Sequence, residues 1–81
     1  MTREEIIQQL KNIVKPYVRE QEAFENLTES TDFINDLKIN SANLVDIILD
    51  IEETFDISID TPEMEKMLDV KTTLDLIASK I

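Results

Sequence analysis

Glycine, cysteine, histidine and tryptophan are all missing from this 81-residue chain, and each absence removes a kind of chemistry. Without cysteine there is no thiol nucleophile, disulfide framework or thiolate metal site. Without histidine no imidazole can activate a serine, so Ser–His hydrolysis is excluded. Without glycine there is neither a phosphate-cradling loop nor a calcium loop built around a glycine turn. No apolar run is long enough to cross a bilayer, and the N-terminal TREEIIQQ lacks the basic and apolar regions of a secretory leader. No metal site and no catalytic residue is expected. Any reactive group this chain uses must be attached to it, and Ser41 is the candidate.

What is present is acid. Eighteen carboxylates against eight bases leave a net charge of −10, which argues against phosphate backbones and anionic membranes as partners. A basic protein surface is the natural complement, although acidic surfaces also serve plain solubility. Apolar residues make up 42% of the chain, enough for a packed interior and too many for a disordered segment. A length of 81 residues fits one core. Residues 1–81 are therefore expected to form one domain, monomeric and cytoplasmic.

Apolar spacing is helical almost throughout. Ile6, Leu10, Ile13 and Tyr17 recur on one face, with Ile7 and Val14 widening the stripe. Thr2 and Glu5 have capping-box spacing, so the first helix should start at residue 3. Pro16 should end or kink it near Lys15, with fraying toward Arg19. Residues 20–40 form a long connection anchored by Phe24, Leu27, Phe33, Ile34 and Leu37, with Asn26, Asn35, Asp36 and Asn40 expected to make its turns. A second helix should run from about Ala42 to Phe55. Residues 60–67 read as a short helix capped by Asp60 or Thr61, with Pro62 in its first turn. A last helix carries Val70, Leu74, Ile77 and Ile81. The predicted fold is all-α: a small four-helix bundle of three longer helices and one short one.

The second helix has one feature that a plain bundle does not need. With Leu44 as zero and about 100° per residue, Ile48, Ile51 and Phe55 fall within roughly 40° of it. Asp46, Asp50 and Glu53 lie opposite, roughly 180° to 240° round. Between the two, at roughly 100° to 160°, stand Ala42, Val45 and Leu49. An apolar strip bordered by carboxylates has the layout of a docking surface; alternatively, the 20–40 connection covers the strip and makes it core. Ser41 is similarly open. A serine ahead of an amphipathic stretch is ordinarily an N-cap, but Asn40 could cap instead and leave the hydroxyl free.

Taken together, these residues resemble the acyl carrier protein family. That family opens its second helix with a D-S-L tripeptide preceded by D-L-G, and closes it with E-E-x-F. Here Asp36-Leu37 matches the D-L, Ser41 the modified serine, and Glu52-Glu53-Thr54-Phe55 the helix end. Ser30-Thr31-Asp32-Phe33, Ile57-Ser58-Ile59 and Val70-Lys71-Thr72 extend the likeness over nearly the whole chain.

The resemblance implies a bundle of acyl-carrier type. It implies 4′-phosphopantetheine on Ser41, donated from coenzyme A by a phosphopantetheinyl transferase and holding acyl intermediates as thioesters. These would be delivered to acyl-transferring and chain-elongating enzymes of fatty-acid-like or polyketide-like biosynthesis, which present basic docking patches. Asn40, Ala42, Val45, Asp46, Leu49, Asp50, Glu52 and Glu53 would meet those partners. Leu44, Ile51, Phe55, Met64 and Met67 would shelter the acyl chain, the methionines suiting a cavity that opens. Three positions depart from the family pattern: Asn40 replaces an aspartate, Ala42 a leucine and Lys38 a glycine. They point to a specialised carrier. The rival readings are a peptidyl or D-alanyl carrier, and an unmodified acidic helical interaction module.

Overall fold

The computed structural model describes all 81 residues. Five α-helices follow in order: α1 (Arg3–Val14), α2 (Gln21–Glu25), α3 (Leu44–Phe55), α4 (Thr61–Met64) and α5 (Val70–Lys80). Three-residue 3₁₀ turns extend two of them, Lys15–Tyr17 after α1 and Ser41–Asn43 before α3. The four expected helices are present and all-α architecture holds; the one-turn α2 within the long connection is additional. There are no strands, and an isolated antiparallel bridge joins Asp32 to Asp69.

Side chains set the helix starts. The Thr2 hydroxyl accepts from the Glu5 amide at 3.2 Å while the Glu5 carboxylate accepts from the Thr2 amide at 3.5 Å, closing the predicted capping box. Asp60 and Glu63 repeat the reciprocal arrangement at α4, at 3.0 and 3.1 Å, with Pro62 in the first turn. Asp69 caps α5 by accepting from the Thr72 amide at 2.7 Å. Each such cap is worth about 1 kcal/mol. Pro16 sits in the 3₁₀ turn that ends α1, as its missing donor and fixed φ require.

The interior is filled by Ile6, Leu10 and Val14 of α1, Ile47, Ile48, Ile51 and Phe55 of α3, and Val70, Leu74 and Ile77 of α5. Phe33, Leu37 and Ile39 reach it from the connection, and Ile59 and Met67 from the α3–α5 segment. Phe24, Leu27 and Ile34 are half-buried, so they anchor the connection more loosely than Phe33 and Leu37 do. Ile81 lies just past the end of α5 and is exposed. Thr73 is the one fully buried polar side chain, its hydroxyl donating to the Asp69 carbonyl at 2.9 Å.

The connection is stitched on both sides. Phe33 donates to the Leu68 carbonyl and Val70 to the Thr31 carbonyl, each at 3.0 Å, while Lys71 donates to Glu29 at 2.8 Å. On the other flank, the Arg19 and Glu20 amides share the Leu37 carbonyl. Arg3 bonds both Glu29 and Asp75, joining α1, the connection and α5.

Asn26, Asn35 and Asp36 stand in turns as expected, but none of them takes the left-handed conformation. The positive-φ positions fall on Lys38 (57°) and Asp56 (54°), neither of them among the asparagines. Asp56 terminates α3, its amide and that of Ile57 both donating to the Glu52 carbonyl. Asn26, Asp36 and Asn40 act instead through their side chains.

Candidate functional site

Ser41 is placed by what lies immediately before it. The Asp32 carboxylate accepts from the Ile34 and Asn35 amides at 2.8 Å, and Asp36 accepts from the Asp32 amide at 2.7 Å. These bonds close a tight loop whose Leu37 and Ile39 are driven into the core. The chain emerges at Asn40, whose side-chain oxygen accepts from the Ala42 amide at 2.9 Å and whose carbonyl accepts from Asn43. Asn40 is therefore the cap. Ser41 is exposed, its carbonyl is used by Leu44, and its hydroxyl makes no hydrogen bond. It stands at the positive end of the helix that continues into α3, where added negative charge is tolerated best.

Beside it runs the strip that the sequence singled out. Val45 and Leu49 are 50% and 55% exposed, so the connection does not cover them. Ala42, Asp46 and Glu53 are exposed and Asp50 is half-buried. Glu52 differs from its neighbours: it is half-buried and its carboxylate accepts from the Ile59 amide at 2.8 Å, tying the end of α3 to the approach to α4. Tyr17, half-buried, lies within the electrostatic reach of these acids. Partial burial first, and then the charges of Asp50 and Asp46, push its phenol above the usual range. Periodicity assigned Tyr17 to the α1 stripe only, and nothing in the sequence placed it beside the acids of α3.

Ile51, Phe55 and Met67 are buried and Leu44 and Met64 half-buried, so this set lines the interior. Only Phe55 among them borders a surface groove, which it shares with Met1, Ile6, Ala78 and Ile81. That groove is at the far end of α3, about 21 Å along the helix from Ser41. No three acidic side chains converge as a metal cage, and no helix is long and apolar enough to cross a membrane.

Comparison with known proteins matches residues 8–79 to the family described as "Phosphopantetheine attachment site". The acyl carrier protein of Coprothermobacter proteolyticus is 37% identical over all of this chain and 96% of the relative. That of Lactobacillus acidophilus is 33% identical over 98% of this chain and 96% of the relative. The Thermotoga maritima protein is 31% identical over 99% and 96%. The chain belongs to the acyl carrier protein family. Its cofactor is covalently attached 4′-phosphopantetheine, and the residues present fit that group. Attachment needs an exposed hydroxyl not already engaged by the fold, and Ser41 offers one because Asn40 has taken over the capping. Proteins of this family act as carriers, not as catalysts.

Proposed function

We propose that this chain is an acyl carrier whose 4′-phosphopantetheine is attached at Ser41, serving fatty-acid-like or polyketide-like synthesis. The observation that carries the reading is the exposed, unbonded Ser41 hydroxyl behind the Asn40 cap. When attached, the group supplies a terminal thiol that bears acyl groups as thioesters. The chain's own residues position and present it. Asp46, Asp50 and Glu53 steer basic partners, and Ala42, Val45 and Leu49 give them an apolar contact. Glu52 contributes charge from behind its bond to Ile59. Leu44, Ile51, Phe55, Met64 and Met67 line the space an acyl chain would enter. Only Phe55 among them borders a surface groove, so an acyl chain entering beside Ser41 would have to open this packing.

The unit acts as one domain over residues 1–81, without catalysis of its own, as a cytoplasmic monomer. Its partners are a phosphopantetheinyl transferase and acyl-handling enzymes with basic patches. Asn40, Ala42 and Lys38 make those partners a dedicated set, since they leave the attachment site less negative and less apolar than the family pattern. The test is intact mass after incubation with coenzyme A and a broad transferase. A gain of one phosphopantetheine, abolished in Ser41→Ala, is expected; no gain, or an equal gain in the variant, overturns the reading.

A further inference from the structure

Lys38 is the only base between Arg19 and Lys66, three residues ahead of Ser41. Arg3, Lys71 and Lys80 are each held by carboxylates, whereas Lys38 forms no ion pair and is exposed. The nearest acid in sequence, Asp36, is spent on the Asp32 amide. The Lys38 backbone is left-handed, at φ 57°, between Leu37 and Ile39, which are both buried. A glycine would adopt that conformation at lower cost, so the side chain is carried at an energetic disadvantage on the exposed side of the loop.

We propose that Lys38 is a positioning residue for the group on Ser41, its ammonium pairing with the phosphodiester that joins the arm to the serine. This rests on Ser41 being the attachment residue. Three residues span at most about 10–11 Å even when fully extended, and the lysine stem covers much of that reach. The phosphodiester would add negative charge to a chain already at −10, with Asp46 in the first turn of α3; besides Lys38, the base the fold brings to this loop is Arg19, whose amide bonds the Leu37 carbonyl at 3.1 Å. A pair there biases the first bonds of the arm toward the loop side of Ser41, away from the acids of α3. Because both groups face water, salt screens the pair, the Debye length being about 10 Å at 0.1 M.

The experiment loads wild type, Lys38→Gln and Lys38→Arg with coenzyme A and a transferase, and confirms one arm per chain by intact mass. Glutamine and arginine both keep a Cβ, so the backbone requirement is unchanged across the set. Phosphorus NMR is then recorded at about 20 mM and about 0.5 M salt. The expected result is a phosphodiester resonance common to wild type and Lys38→Arg, displaced in Lys38→Gln at low salt and converging at high salt. The Lys38 Cε resonance should also move between the unloaded and loaded wild type. Coincident phosphorus resonances at low salt in three fully loaded proteins overturn the pairing and leave the Ser41 reading standing. Failure of all three to load removes the Ser41 reading itself.

Discussion

The backbone at Lys38 makes a prediction with a definite sign. At φ 57° an L-residue crowds its Cβ against the following carbonyl oxygen, costing about 1–2 kcal/mol. Glycine has no Cβ but loses more freedom on folding, which returns about 0.5–1 kcal/mol. Lys38→Gly should therefore stabilise the chain by about 0.5–1 kcal/mol, or about 2–8 °C in Tm for a domain of this size. The substitution also removes a positive charge, taking the formal net charge from −10 to −11, so Lys38→Ala is the control: it loses the same charge and keeps the Cβ. Alanine should be neutral or slightly destabilising. Asp56→Gly, at φ 54°, should gain less than Lys38→Gly because aspartate tolerates this region better. Urea unfolding with unchanged m-values measures all three. A Lys38→Gly protein no more stable than Lys38→Ala would refute the strain argument.

Other substitutions test the packing and the electrostatics. Ile51→Ala, in the fully buried centre of α3, should cost about 2–5 kcal/mol, while Leu49→Ala, one face away and 55% exposed, should stay within about 0.5 kcal/mol by the same denaturation. Thr73→Val should lie within about 0.5 kcal/mol of wild type, because the Asp69 carbonyl keeps the Thr73 amide as donor; Thr73→Ala, which leaves a void, should cost about 1 kcal/mol. Hydrogen bonds from Lys71 and then Arg3 hold the Asp75 carboxyl below its usual range. Its contribution is thus present above the ordinary carboxylate range and is lost as pH falls through the depressed folded value. The Tm advantage of wild type over Asp75→Asn should shrink toward zero below about pH 4, as followed by thermal melts; an advantage that grows on acidification would reverse the assigned sign.

Helix positions were legible because each start carries its own chemistry: Thr2 with Glu5, Asp60 with Glu63 and Pro62, and Pro16 at the end of α1 are local signals that tertiary packing did not override. The exposed strip of Val45 and Leu49 was also legible, since helical geometry alone puts it away from Ile51. The connection was not. Its shape depends on bonds between residues far apart in sequence, such as Phe33 to Leu68 and Val70 to Thr31, and periodicity carries no information about those. The five-residue α2 lacks a side-chain cap and buries no residue fully, so it left no apolar stripe to read. The left-handed positions were missed for a related reason. Turn propensity favours asparagine, but burial of Leu37 and Ile39 on either side dictates which residue must reverse the chain, and that residue is Lys38.

Net charge by itself does not say which carboxylates are available to a partner. In a chain without glycine, several acids are consumed in making the turns and caps: Asp32, Asp36, Asp60, Glu63 and Asp69 all accept backbone amides. Glu52 belongs with them, because its bond to Ile59 is what brings the chain round after α3. Moving such a carboxylate into a partner's basic patch would strip an amide of its acceptor, at a cost of about 1–3 kcal/mol if that amide stays shielded from water. Asp46, Asp50 and Glu53 accept no backbone amide and form no ion pair, and they flank the exposed Val45 and Leu49. These three are therefore free to turn toward a partner, while Glu52 adds its charge from a fixed place, held by the bond that settles where α3 ends.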